Sequence, residues 1–336
     1  MPVKPEKTPQ LIDRFGRAVT YLRISVTDRC DFRCLYCMSE NMQFLPRPQV
    51  LTLEELLTIG QAASELGVRK IRITGGEPLV RKNIVWLLER LARLPDVDEL
   101  ALTTNGSQLA RMASALKQAG VRRLNISLDS LKPERFRDMT RVGDLEKVLQ
   151  GIDQALSVGF ERIKINSVVL AGYNDDEVLD LVDFCRDRSL DISFIEEMPL
   201  GVVNSHNRQL AFFSSDQVRA EIEKKYPLIT SPESSGGPSR YYRMSGNPIR
   251  VGFISPHSHN FCDTCNRVRL TAEGRLLLCL GQEYSADLRR VVRSHPGELE
   301  PVKAALKGAM SIKPQGHDFD LGQDTKVLRF MNMTGG

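Results

Sequence analysis

Six short β-prone runs punctuate the first two thirds of the chain: Tyr21–Val26, Lys70–Thr74, Glu99–Thr103, Arg123–Leu128, Arg162–Leu170 and Asp191–Glu197. Between them the apolar positions recur with helical period. Thr52-Leu-Glu-Glu55 reads as a capping box that opens a helix over Leu53–Leu66, closed by Gly67. Further helices are predicted over Asn83–Leu94 (before Pro95), Ser107–Ala119 (before Gly120), Asp144–Val158 (before Gly159) and Asn174–Arg188. Strand and helix in steady alternation predict parallel strands joined by crossover helices.

The strands do not alternate evenly. They carry polar residues near their C-terminal ends: Thr74, Thr103-Thr104-Asn105, Ser127 and Asp129, Lys164 and Asn166, and Glu196-Glu197. In barrels and open α/β sheets those ends form the active face, so five in series predict a lined cavity. After Met198-Pro199 the repeat stops. The second part of the chain holds a loop rich in Asn, Ser and His, a helix near Ser214–Lys225, a Pro/Ser/Gly stretch (Ser231–Ser239) and strand-like Arg240–Met244 and Ile249–Ile254. A domain boundary is placed near 200, with no long linker.

The length of 336 residues allows one large domain or two ordinary ones. Hydrophobic residues at 41% and charged residues at 26% exclude global disorder and fibre-forming sequence. No apolar run is long enough to cross a bilayer, and the polar N-terminus lacks the apolar stretch of a secretory signal, so the cytoplasm is the expected compartment. The net charge of +4 is too small to argue for nucleic acid. Its distribution says more: Arg240 to His295 holds nine Arg, no Lys and four acids. That stretch is either a solvated basic face or an anion site, for which the planar Arg fork is suited.

Seven cysteines change the picture. They fall as Cys30-x3-Cys34-x2-Cys37, a lone Cys185, and Cys262-x2-Cys265-x13-Cys279. In a reducing compartment such grouping points to metal or redox chemistry. Cys185 lies on the apolar side of a helical pattern and is expected in the core. Three thiolates in one tight loop can hold three corners of a four-iron cluster and leave one iron open to a small molecule. Zinc with a distant fourth ligand and a buried thiol cluster are the other readings. The second trio fits a zinc site with His257 or His259, or a second four-iron cluster.

Cys30–Cys37, with Tyr36 before the last Cys, resembles the signature of the radical S-adenosylmethionine superfamily, and Gly75-Gly76-Glu77-Pro78 resembles that superfamily's glycine element. Together with LIDRFGR, YLRISVTDRC, TTNG, NISLDSL, FIEEMPLG, CDTCNRVRLTAEG and the final Gly-Gly, the chain from about Leu11 to Gly336 resembles the GTP 3′,8-cyclase family of molybdenum cofactor biosynthesis.

The resemblance implies an α/β fold: an incomplete six-stranded parallel (β/α)6 barrel (a partial TIM barrel) over 11–199, after a flexible 1–10, with a C-terminal domain over 200–336 covering the barrel mouth. It implies two [4Fe-4S] clusters, on Cys30, Cys34 and Cys37 and on Cys262, Cys265 and Cys279. Tyr36, Gly76, Ser127 and Met198 would contact S-adenosyl-L-methionine. Arg23, Arg72, Thr103, Lys164, Arg267 and Arg269 would hold GTP, and Arg267, Arg269 and the terminal Gly335-Gly336 would serve catalysis. The implied reaction is cyclisation of GTP by a deoxyadenosyl radical. Implied partners are a one-electron donor of flavodoxin or ferredoxin type, cyclic pyranopterin monophosphate synthase as receiver of the product, and a second copy in a homodimer; neither nucleic acid nor membrane is expected. Relatives often carry Arg where this chain has Ser193, which leaves open whether Lys70 shares the load. Two rival readings are a radical peptide maturase with auxiliary clusters, which usually needs more C-terminal cysteines, and a zinc protein binding RNA, which lacks an aromatic platform at 6% aromatics.

Overall fold

The computed structural model describes residues 10–203, 205–322 and 327–335. The first six strands stand where the sequence places them: β1 (Tyr21–Ser25), β2 (Lys70–Thr74), β3 (Glu99–Thr104), β4 (Arg123–Ser127), β5 (Arg162–Val168) and β6 (Asp191–Ile195). Helices α1 (Leu53–Glu65), α2 (Ile84–Ala92), α3 (Leu109–Gln118), α4 (Pro133–Thr140), α5 (Leu145–Val158) and α6 (Val178–Asp187) connect them. The capping box at Thr52 forms in both directions, with Glu55 N–H donating to Thr52 Oγ1 and Thr52 N–H to Glu55 Oε2. The residues before α6 form a 3₁₀ turn (Asp175–Glu177), so that helix starts later than its apolar period suggests. Helix α4 is an addition to the predicted set; its PERFRDMT sequence has too few apolar residues to show a period.

Six further strands come from beyond residue 200: β7 (Leu228–Thr230), β8 (Arg240–Met244), β9 (Arg250–Ile254), β10 (Arg267–Leu270), β11 (Arg275–Leu277) and β12 (Ser285–Asp287). They extend both edges of the first six, giving one twelve-stranded sheet in the order β12-β11-β10-β1-β2-β3-β4-β5-β6-β9-β8-β7. The six strands expected thus continue into the second half of the chain. β10 joins β1 and β9 joins β6 in parallel, while β11, β12, β8 and β7 are added by antiparallel pairing. β7 and β10 to β12 escape sequence reading because each is only three or four residues long, too short to show a period. The same half supplies α7 (Arg208–Ala211), α8 (Ser215–Glu223), α9 (Leu288–Ser294), α10 (Leu299–Met310) and the short α11 (Met331–Thr334).

One large core unites α1 to α3, α5 and α6 with the outward side chains of the sheet, and reaches into α9 and α10 through Leu288, Val302 and Leu306. Cys185 lies fully buried in it. Among the described residues no helix is long and apolar enough to cross a membrane.

Strand register decides where the chemistry lies. The parallel strands are about 13 Å tall from Tyr21 to Ser25, at roughly 3.3 Å per residue. The Cys30–Cys37 loop comes after the C-terminal end of β1. Cys262 and Cys265 precede β10, whose Arg267 pairs with Tyr21 at the opposite end of β1. Leu277 pairs with Arg269, so continuing the antiparallel register sets Cys279 level with Arg267. The hairpin thereby folds the thirteen residues between Cys265 and Cys279 back on themselves. The two cysteine sets stand at opposite ends of the same strands.

Candidate active site

The Cys30–Cys37 loop is fastened from several sides. Arg33 N–H and Leu35 N–H donate to the carbonyls of Thr140 and Met139, at the end of α4. Gly76 N–H donates to Thr27 O (2.7 Å) and Glu77 N–H to Arg29 O (2.8 Å). A Cβ on Gly76 would stand 2.4 Å from Arg29 O, so only glycine lets these two loops meet. Glu77, fully buried, accepts from Thr104 Oγ1, Asn105 N–H and Leu79 N–H; burial nevertheless lifts its carboxyl to about 8. Tyr36 donates to Asp129 Oδ2 (2.7 Å), and burial raises Asp129 to about 6.

The C-terminus closes this end. Met331 N–H donates to Cys37 O (3.2 Å) and Asn332 Nδ2 to Asp28 O (2.8 Å). Gly335 has φ +74°, and a Cβ there would stand 1.9 Å from Thr74 Oγ1 at the end of β2. Its carbonyl accepts from Arg269 Nη1 (2.7 Å). Gly336 lies outside the described residues.

Below this loop a cavity runs along the inward side chains of the sheet. Arg23, Arg72, Thr103, Lys164, Arg267 and Arg269 all line it, as do Tyr36, Ser127 and Met198. Its cations are buried: Arg23, Arg72, Lys164 and Arg269 are each 9% exposed or less. Arg72 Nε donates to Tyr21 Oη (2.6 Å) and Nη1 to Thr103 Oγ1 (3.2 Å). Lys164 Nζ donates to Ser193 Oγ (3.1 Å) and Tyr241 Oη (3.3 Å). Among the described residues, Arg23 Nε and Asn166 Oδ1 are buried without a hydrogen-bond partner. Among the same residues none of Arg23, Arg72, Lys164, Arg267 and Arg269 makes an ion pair with a carboxylate. Burial and mutual repulsion show in their protonation: Arg269 is held well below its usual value, and Arg23 falls to about 10. Burial alone would raise the Tyr21 phenol, but Arg72, Arg23 and Lys70 outweigh it and bring it to about 7. Lys70 also lines the cavity, yet its charge is engaged by Glu99 (2.5 Å) and it donates to Ser235 O.

At the far end Cys262, Cys265 and Cys279 line the same cavity. Basic residues surround them. Arg17 Nη1 donates to Cys262 O (2.7 Å), and Lys313 Nζ to Cys265 Sγ (3.7 Å). Burial raises Cys265, but Arg267, Lys313 and Arg17 outweigh it and leave the thiol below its ordinary value. His257 Nε2 contacts Glu197 O and His259 Nε2 pairs with Asp216, so neither histidine joins the trio. Among the described residues no cluster of His, Cys, Asp or Glu is drawn together as for a single metal ion.

The donor sets suit iron–sulfur ligation. At the first loop burial pushes all three thiols up, Cys37 to about 12, so three thiolates there call for a compensating cationic group. The uncompensated cations of the cavity call for an anion. Gly76 lies behind the cysteine loop, outside the cavity lining, where its role is to let two backbones meet. Sequence reading overlooked Tyr21, Asn125, Tyr241, His317 and Lys313. Tyr21 and Asn125 lie on inward strand positions and were legible in principle; Tyr241 lies on the strand read at Arg240–Met244, whose place beside β9 the sequence does not give, and His317 and Lys313 lie on segments with no local signal.

Residues 24–185 match the radical SAM superfamily and residues 190–319 match Molybdenum Cofactor Synthesis C. The chain is 62% identical over 333 residues to a GTP 3′,8-cyclase of Pseudomonas entomophila, covering 98% of this chain and 100% of that one. It is 62% identical over 327 residues to GTP 3′,8-cyclase 2 of Pseudomonas aeruginosa (97% and 99% covered). A GTP 3′,8-cyclase of Saccharophagus degradans is 57% identical over 326 residues (97% and 98%). Among solved structures, Streptococcus suis SuiB bound to S-adenosylmethionine superposes with a TM-score of 0.62 at 15% identity, over 94% of this chain and 77% of that one, a likeness of fold.

Proposed function

The chain belongs to the GTP 3′,8-cyclase family of radical S-adenosylmethionine enzymes, and from that premise we propose how its cavity divides the work. It is a lyase of molybdenum cofactor biosynthesis that takes GTP as substrate and uses a [4Fe-4S] cluster with S-adenosylmethionine. The observation that carries the site assignment is the set of buried cations without carboxylate partners along one cavity. A nucleoside triphosphate brings about four negative charges, which charge-assisted bonds from Arg23, Arg72, Lys164, Arg267 and Arg269 would neutralise. Thr103 adds a hydroxyl. Lys70 is a minor contributor in this reading, because Glu99 already engages it.

Cys30, Cys34 and Cys37 would hold the cluster that binds S-adenosylmethionine, with Tyr36, Ser127 and Met198 along its cavity face and Gly76 supporting the loop. When bound, that pair supplies the hydrogen-abstracting radical. Cys262, Cys265 and Cys279 would hold a second [4Fe-4S] cluster and face the guanine end of the substrate. The protein's own contribution would be position: GTP held by the cavity's cations would set its ribose toward the first loop. Arg269 donates to Gly335 O, so it links the tail to the phosphate site and, with Arg267, Gly335 and Gly336, would complete the catalytic arrangement. In this reading 11–199 form an incomplete (β/α)6 barrel, and 200–336 form a unit that completes the sheet and carries the second cluster. A cytoplasmic homodimer, a flavodoxin- or ferredoxin-type donor and delivery of product to cyclic pyranopterin monophosphate synthase complete the proposal.

The test is anaerobic turnover of reconstituted protein with S-adenosylmethionine, a one-electron reductant and GTP. Cyclised GTP and 5′-deoxyadenosine should form together. Deoxyadenosine formation without any change in GTP would overturn the assignment of the cavity.

A further inference from the structure

The second cysteine site contains a lysine that the substrate reading does not use. Lys313 lies just past α10, with a side chain 1% exposed. A lysine so buried ordinarily has a carboxylate against it. The carboxylate within reach is Asp13, at 4.0 Å, and Asp13 is already occupied: Arg17 Nε donates to its Oδ2 at 2.7 Å, and the N–H groups of Phe15 and Arg17 donate to its Oδ1. Lys313 Nζ instead approaches Cys265 Sγ at 3.7 Å, hydrogen-bond distance for sulfur. Arg17 braces the same region, donating to the carbonyls of Cys262, Pro314 and Gln315. Lys313, Arg17 and Asp13 together leave one net positive charge buried beside the trio.

The first site differs at the sulfur: Arg33 Nη1 donates to Cys30 O (2.7 Å), but Cys30 Sγ itself receives only neutral donors, Phe32 N–H (3.3 Å) and Asn105 Nδ2 (3.8 Å), with the acidic side chains of Asp31 and Asp129 near the loop. Hydrogen bonds to ligand sulfur and nearby charge both set how readily an iron–sulfur group accepts an electron. We propose that Lys313 is a positioning and tuning residue of the second cysteine site, its ammonium donating to Cys265 Sγ and making a cluster bound there easier to reduce than it would be without that charge. This inference rests on the reading that Cys262, Cys265 and Cys279 hold a cluster.

The test compares anaerobically reconstituted wild type, Lys313→Arg and Lys313→Met by iron and sulfide content and by redox titration followed by electron paramagnetic resonance. Cys265→Ala identifies which signal belongs to the second site. Lys313→Met should move the second cluster's midpoint to more negative potential and leave the first unmoved, while Lys313→Arg stays near wild type. Loss of the second cluster in Lys313→Met with retention in Lys313→Arg also supports a requirement for the charge. An unmoved midpoint in Lys313→Met overturns the proposal, and so does loss of the second cluster in both variants, which assigns Lys313 to shape alone. Iron for one cluster only in the wild type would remove the second-cluster reading itself, a failure told apart by the unsubstituted protein.

Discussion

The loop above the cavity and the cavity's far end carry the same ligand type in different electrostatic settings; of the loop Cys30–Cys37 only Tyr36 lines the cavity, whereas Cys262, Cys265 and Cys279 all do. At the C-terminal end of the strands, Cys30, Cys34 and Cys37 sit in one loop among Glu77, Asp31 and Asp129, and all three thiols are raised. At the N-terminal end, Cys262, Cys265 and Cys279 come from a strand entry and a hairpin exit; burial raises Cys279 as at the first site, while Arg267, Lys313 and Arg17 outweigh burial and lower Cys265. Burial is common to both; the cations beside Cys265 separate them. The cations proposed to bind the triphosphate lie between the two.

The largest expected effect separates the ends outright. Cys34→Ala should abolish both S-adenosylmethionine cleavage and GTP cyclisation, whereas Cys265→Ala should retain uncoupled cleavage and lose cyclisation. Equal loss of cleavage in both variants, measured as deoxyadenosine under anaerobic conditions, would mean that the two ends do not act separately.

That division was only half legible in the sequence. The first trio is contiguous, comes directly after β1 and needs no tertiary information to be read as one site. The second is legible as spacing, but its place depends on pairing between Arg267 and Tyr21, residues from opposite ends of the chain. The β1 to β6 alternation could be read because crossover helices carry strong periods. The edge strands could not: Arg267–Leu270 and Arg275–Leu277 look like a solvated hairpin until β1 covers one side. Arg269 illustrates the outcome, since a residue of an Arg-rich stretch proves 8% exposed and bonded to the C-terminal tail. Lys313 had no sequence signal, because a lysine after an amphipathic helix ordinarily faces water.

The tail offers the next way to sharpen the comparison, since it packs on Thr74 at one end and meets Arg269 toward the other. Gly335→Ala forces a Cβ to 1.9 Å from Thr74 Oγ1 in a positive-φ conformation, so the tail must move. Product formation should fall roughly a hundredfold, the scale of an ångström-level misplacement near reacting groups. Iron content and GTP binding should stay near wild type. Full product formation would show that the tail packs at the site without serving it.

A smaller effect is expected at the phosphate site. Arg267→Ala should weaken GTP binding by roughly 1.5–3 kcal/mol, the range for a hydrogen bond to a charged group. Calorimetry on the reconstituted protein measures this, and unchanged affinity in Arg267→Ala and Arg269→Ala alike would place the triphosphate elsewhere.

The smallest effect is a titration. Tyr21 is an acid whose pKa in the folded protein is lowered from 10.0 to about 7. Its phenolate therefore stabilises the folded state fully above pH 10, and that contribution is lost as pH falls through 7. The tyrosinate absorbance of the apoprotein should show a component near 7 beside that of Tyr241 at about 8, and Tyr21→Phe should remove the first and keep the second. GTP should shift the Tyr21 component upward, because phosphate competes for the same cations; no shift would mean that Arg72 and Arg23 do not meet the substrate.

The central claim is that two thiol trios, one in the loop above the cavity and one lining its far end, each hold their own cluster, and iron and sulfide analysis of anaerobically reconstituted protein tests it most directly. The account predicts about eight iron per wild-type chain and about four in Cys34→Ala and in Cys265→Ala, two four-iron clusters each lost separately. Zinc at the second trio, or the same iron content in Cys265→Ala as in wild type, would contradict it.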